Sequence, residues 1–117
     1  MRSIKDLMNL SGRKALITGG AGHIGGAAGD ALAELGATVS LLDMDQSACQ
    51  KRIDGFDQTN DSRGVAISCD LLDEQAIRRS MQTAIDSMGG LDILVHCAAY
   101  VGTTQVPGWA VPFEEQS

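Results

Sequence analysis

Apolar and polar positions along the chain switch between two periods, and the switching is regular. "KALIT" (Lys14 to Thr18) is a short apolar run that ends in glycines, the pattern of a buried strand. Ile24, Ala27, Ala28, Ala31, Leu32 and Leu35 then recur at steps of three and four, which predicts one face of a helix. Gly36 follows where a helix-terminating glycine belongs. "TVSLLD" (Thr38 to Asp43) reads as a second strand, apolar on both faces, and Gln46 to Arg52 as a short helix with Asp45 as its N-cap. Asp54 to Arg63 is polar and without period, and is expected to be a loop. "VAIS" (Val65 to Ser68) predicts a third strand. The next helix is capped by Asp73, with Glu74 in its first turn where the helix dipole favours a carboxylate. Its apolar face is Ile77, Met81, Ala84, Ile85 and Met88, and Gly89-Gly90 ends it. "LDILVH" (Leu91 to His96) predicts the fourth strand.

The order is thus β-α-β-α-β-α-β with short connections. Strands joined by helices in this way lie parallel. Their near-continuous apolar character fits an α/β sheet covered by helices on both faces.

The length of 117 residues suits one domain, and the composition, 44% apolar and 21% charged, is that of an ordinary soluble globular protein. The opening "MRSIKDLMNLSGRK" has charges scattered through it, unlike a signal peptide, and no window reaches the run of about 20 apolar residues that a membrane helix needs. A cytoplasmic protein with no membrane partner is expected. The net charge of −6 comes without a basic stripe, which argues against a nucleic-acid partner. Cys49, Cys69 and Cys97 are too few and too widely spaced for a disulfide framework or a zinc site. Cys69 and Cys97 end apolar runs and are expected to be buried free thiols.

One stretch stands apart. "ALITGGAGHIGG" places five glycines in the eight positions from Gly19 to Gly26, at a high cost in conformational entropy. Gly20, Gly22 and Gly25 spell G-x-G-x-x-G, a weak signal alone, but here it follows a strand and opens a helix. Small residues keep such a turn tight and let the backbone approach a pyrophosphate, to which the helix N-terminus adds its partial positive charge. An acidic residue is expected roughly 20 positions further on, and Asp43 stands at the end of the second strand. Its carboxylate suits both ribose hydroxyls of an adenosine and repels a 2′-phosphate, so NAD is expected over NADP. The competing reading is a tight βα turn that binds nothing, with Asp43 a plain strand-end carboxylate.

These residues resemble the short-chain dehydrogenase/reductase family over nearly the whole chain. Thr18, Gly19 and Gly25 match the family's Thr-Gly cofactor turn, although His23 stands where its single-domain branch usually has glycine. The resemblance implies cofactor contacts from Gly19, Gly22, His23, Ile24 and Gly25 around the turn. "CDLLDEQAI" is similar to the family's Asp-plus-apolar pair, which implies that Asp70 and Leu71 border the adenine. "GGLDILVHCAA" resembles the stretch that ends in Asn-Asn-Ala-Gly, with His96 and Cys97 in place of the asparagines and Ala99 in place of the glycine. Main-chain cofactor contacts at Ala98 and Ala99 are implied there. His96 itself is expected to be a hydrogen-bonded core residue rather than a base.

What the resemblance implies for the whole is the first half of a Rossmann-type doubly wound sheet, in strand order 3-2-1-4. Residues 1–101 form the NAD-binding half-domain, and 102–117 a loop leading toward a catalytic half. Family members transfer a hydride between nicotinamide and a carbonyl or alcohol substrate, using an Asn, a Ser and a Tyr-x-x-x-Lys pair. None of these positions exists here, and Tyr100 is followed by Thr104 rather than lysine. The chain is therefore expected to be an N-terminal portion of an NAD-dependent oxidoreductase, itself without catalytic residues, whose full-length parent is a homo-oligomer. The strand-four edge would then be open and the stability marginal. The alternatives are a stand-alone or inactive dinucleotide-binding module, and, from the Thr-Gly-x-x-Gly-x-x-Gly spacing of Thr18, Gly19, Gly22 and Gly25, a sugar-nucleotide epimerase portion. No helix carries His and carboxylates at metal-ligand spacing, and no metal is expected.

Overall fold

A computed structural model describes residues 2–56 and 64–99. Most of the expected 54–63 loop, and the segment after residue 101 with Trp109, lie outside the described residues, as does Tyr100. A short helix α1 (Ile4–Met8) leads into β1 (Lys14–Thr18), α2 (His23–Glu34), β2 (Thr38–Asp43), α3 (Gln46–Asp54), β3 (Ala66–Ser68), α4 (Glu74–Met88) and β4 (Ile93–His96). The four strands are parallel and stand in the order β3-β2-β1-β4, as expected. Among the described residues no helix is long and apolar enough to cross a membrane.

Period-2 geometry splits the strand side chains between two cores. Ala15, Ile17, Val39, Leu41 and Ala66 face α2 and α3, joined by Ala33, Cys49 and Ile53. Leu16, Leu42 and Ile67 face α4 and pack with Cys69, Ala84 and Met88. Burial pushes the Cys49 thiol up to about 11, helped by the negative charges of Asp43 and Asp45, so this cysteine stays a neutral core residue.

The predicted caps are in place. Asp45 accepts a hydrogen bond from the Ala48 amide at 3.0 Å, and Asp73 accepts from Gln75 and Ala76. Gly36 terminates α2 at φ +104°, with the paired bonds Gly36 N–H to Ala33 and Ala37 N–H to Leu32 that mark a Schellman motif.

Several expectations are corrected. Of the expected α2 face of Ile24, Ala27, Ala28, Ala31, Leu32 and Leu35, Ala28 and Leu32 are half-buried against the core, but Ile24, Ala27 and Ala31 are exposed, Ile24 by 78%. Gly25, Gly26, Gly29 and Ala33 are buried instead. The helix packs on its smallest residues because their missing side chains let its backbone come close to the sheet, and a count of apolar side chains overlooks glycines. Helix α3 runs two residues further than Arg52, while β3 and β4 begin one and two residues later than their apolar runs. Cys97 is half-buried rather than buried. Helix α1 carries a capping box in which Ser3 and Asp6 satisfy each other's backbone amides. The Ser-x-x-Asp spacing was its only sequence signal.

Candidate nucleotide-binding site

The C-terminal ends of the four strands form one edge. Across it Thr18 pairs with Leu42 and His96, and Asp43 with Ser68. In open α/β sheets the ligand crevice lies outside this edge, where the strand order reverses. Here that reversal falls between β1 and β4.

The turn after β1 is held from below and from the side. The Gly19 and Gly20 amides both donate to the Leu42 carbonyl, at 2.9 and 3.2 Å, and the Gly22 amide donates back to the Gly19 carbonyl at 3.1 Å. Gly19 sits at φ +71°, and a Cβ there would lie 2.7 Å from the Ala98 nitrogen. A Cβ on Gly25 would overlap the Gly19 carbonyl oxygen. The start of α2, the turn and the end of β4 are thus in backbone-to-backbone contact, an approach that side chains at these two positions would prevent.

Most amides of the turn are consumed internally. The Gly22 N-cap supplies no side-chain acceptor, so the first-turn amides of α2, on His23, Ile24 and Gly25, remain open to an outside anion. His23 and Ile24 are exposed beside them. The cradle therefore fits a phosphate group by its open donors and by its lack of side chains. Gly19 and Gly22 contribute shape, because their own N–H groups are spent on the Leu42 and Gly19 carbonyls.

Asp43 lies beside the turn. Its Oδ2 accepts from the Ala21 amide at 3.1 Å and its Oδ1 from the Met44 amide at 2.7 Å. Asp70 and Leu71 follow the end of β3, next to β2. Asp70 is exposed and accepts from the Leu72 amide at 3.0 Å, while Leu71 is half-buried against the α4-side core.

At the β4 end the Thr18 hydroxyl contacts His96 Nδ1 at 2.7 Å and accepts from the Ala98 amide at 3.3 Å, while the Cys97 amide donates to the Thr18 carbonyl. His96 is hydrogen-bonded as expected, but it is an exposed side chain and not a core one, because it ends an edge strand. Ala98 is brought against the turn by these bonds, and Ala99 follows it, exposed. The His96–Thr18 link had no readable signal, since it joins residues 78 positions apart.

A family model described as short chain dehydrogenase matches residues 13–116. The chain belongs to the short chain dehydrogenase family. It is 33% identical over 107 residues to 1-deoxy-11-beta-hydroxypentalenate dehydrogenase of Streptomyces exfoliatus, covering 92% of this chain and 38% of that one. It is 37% identical over 94 residues to human 15-hydroxyprostaglandin dehydrogenase (NAD+), covering 78% of this chain and 35% of that one. Among solved structures, a short-chain type dehydrogenase/reductase from Mycobacterium marinum superposes with a TM-score of 0.76 at 32% identity, over 97% of this chain and 45% of that one. The chain therefore spans less than half the length of these relatives. Family members are oxidoreductases that bind nicotinamide nucleotides.

Proposed function

We propose that this chain is the cofactor-binding half of an NAD-dependent dehydrogenase acting on an alcohol or carbonyl group of a small molecule. The observation that carries the reading is the pairing of the open α2 amides with Asp43 at the neighbouring strand end. The His23, Ile24 and Gly25 amides would bind the pyrophosphate, supported by the helix dipole. Asp43 would accept hydrogen bonds from the adenosine ribose hydroxyls with the lone pairs its two backbone contacts leave free. Asp70 and Leu71 would border the adenine, and the Ala98–Ala99 backbone the far side of the cofactor. The nicotinamide supplies the hydride chemistry when bound. The acid/base residues of the reaction are not among the residues matched here to family motifs.

A carboxylate at position 43 cannot share its site with a 2′-phosphate without repulsion. The purified protein is therefore expected to bind NADH at least about tenfold more tightly than NADPH, the scale of one unfavourable charge contact. Asp43→Ala should narrow that ratio mainly by weakening NADH. Fluorescence titration with both cofactors measures it, and a ratio unchanged by the substitution would remove Asp43 from cofactor selection.

A further inference from the structure

Asp43 does more than face a ribose. Both its oxygens are engaged by backbone amides, and one of those amides, on Ala21, belongs to the glycine turn itself. Ala21 sits between two anchored stretches: Gly19 and Gly20 hang from the Leu42 carbonyl, and Gly22 bonds back to Gly19 and starts α2. The Ala21 amide is the remaining donor in that run, and the carboxylate of Asp43 receives it from the side of β2. Without an acceptor there, the middle of the turn would be tied to the sheet only at its entrance, and the partly buried amide would have to find another partner.

We propose that Asp43 is a positioning residue for the phosphate cradle: by holding the Ala21 amide, its carboxylate fixes the turn that aims the His23, Ile24 and Gly25 amides at a phosphate. This rests on the cofactor reading above and adds a second function to the same side chain. Asp43 would thus affect the affinity of a nucleotide that has no ribose hydroxyls for it to bind.

That difference supplies the test. The probe is 2′,3′-dideoxyadenosine diphosphate, which retains the phosphates and lacks both hydroxyls. Removing Asp43 also removes a negative charge near the phosphates, so the comparison is between two uncharged variants. Asp43→Asn keeps an oxygen that accepts from the Ala21 amide; Asp43→Ala keeps none. The Asn variant is expected to bind the dideoxy nucleotide about fivefold more tightly than the Ala variant, the scale of one hydrogen bond. Equal affinities of the two variants would overturn the positioning role while leaving the ribose role intact. That separate role is read from the gap between ADP and its dideoxy analogue in the unsubstituted protein. Failure of the unsubstituted protein to bind either nucleotide would overturn the cofactor reading and this proposal with it. Thermal melts establish that both variants are folded, and Asp43→Ser, too short to reach Ala21, replaces the Ala variant should that one not melt cooperatively.

Discussion

Gly25→Val is expected to abolish tight binding of NADH while the rest of the sheet stays paired. The added side chain would meet the Gly19 carbonyl, and Gly19 has little room to shift, because the space beside its Cα is closed by the end of β4: a Cβ there would lie 2.7 Å from the Ala98 nitrogen and 2.9 Å from the Cys97 carbonyl carbon. The start of α2 must then move off the turn, and the His23 and Ile24 amides lose their aim. Overpacking of this kind costs about 1–3 kcal/mol, and if it falls wholly on the bound geometry the affinity drops by about tenfold to a hundredfold. Calorimetric titration with NADH measures the loss. Affinity within about twofold of the unsubstituted protein would mean that the close approach of α2 to the turn is unrelated to binding.

The second large effect concerns stability. Leu16 and Leu94 are neighbours across the β1–β4 ladder and point to the same side of the sheet, yet Leu16 is fully buried and Leu94 is 54% exposed. Leu16 lies in the cluster that α4 closes with Ala84 and Met88; Leu94 does not belong to it. Leu16→Ala should therefore destabilise the fold by about 2–5 kcal/mol, since it removes buried methyls and leaves a cavity. That is a large part of the roughly 5–15 kcal/mol that holds a domain of ordinary stability. Leu94→Ala, by contrast, should change stability by no more than about 0.5 kcal/mol. Urea unfolding of the two variants gives the comparison. Equal losses would show that Leu94 is as well covered in the protein as Leu16.

Much of this was legible because local rules and tertiary packing agree. Asp45 and Asp73 cap the helices they precede in sequence, and the buried runs at Lys14–Thr18 and Thr38–Asp43 are strands over those same residues. The strand order was legible only through the family resemblance, since no local pattern says that β1 lies between β2 and β4. The buried side of α2 was legible only at Ala28 and Leu32, for a physical reason: hydrophobic periodicity weighs side chains, and Gly25, Gly26 and Gly29 pack by having none. His96 and Cys97 end an apolar run as core residues do, but β4 is the sheet edge in this structure, and an apolar run cannot say which of its residues a neighbour covers. Asp43 was legible as a candidate cofactor residue from its distance along the chain. Its hold on Ala21 was not, because that contact depends on how closely the turn bends back over β2.

If the chain is a cofactor-binding half-domain, its glycine turn and the first amides of α2 bind the phosphates of a nicotinamide dinucleotide. The most direct measurement is a two-dimensional amide spectrum of the isotope-labelled protein during titration with NAD. Binding at the turn predicts saturable shifts greatest at His23, Ile24 and Gly25, with smaller ones at Asp43 and Ala98, and none at Arg79, Gln82 and Asp86 on the exposed side of α4. Shifts confined to α4, or none at the turn at saturating NAD, would contradict it.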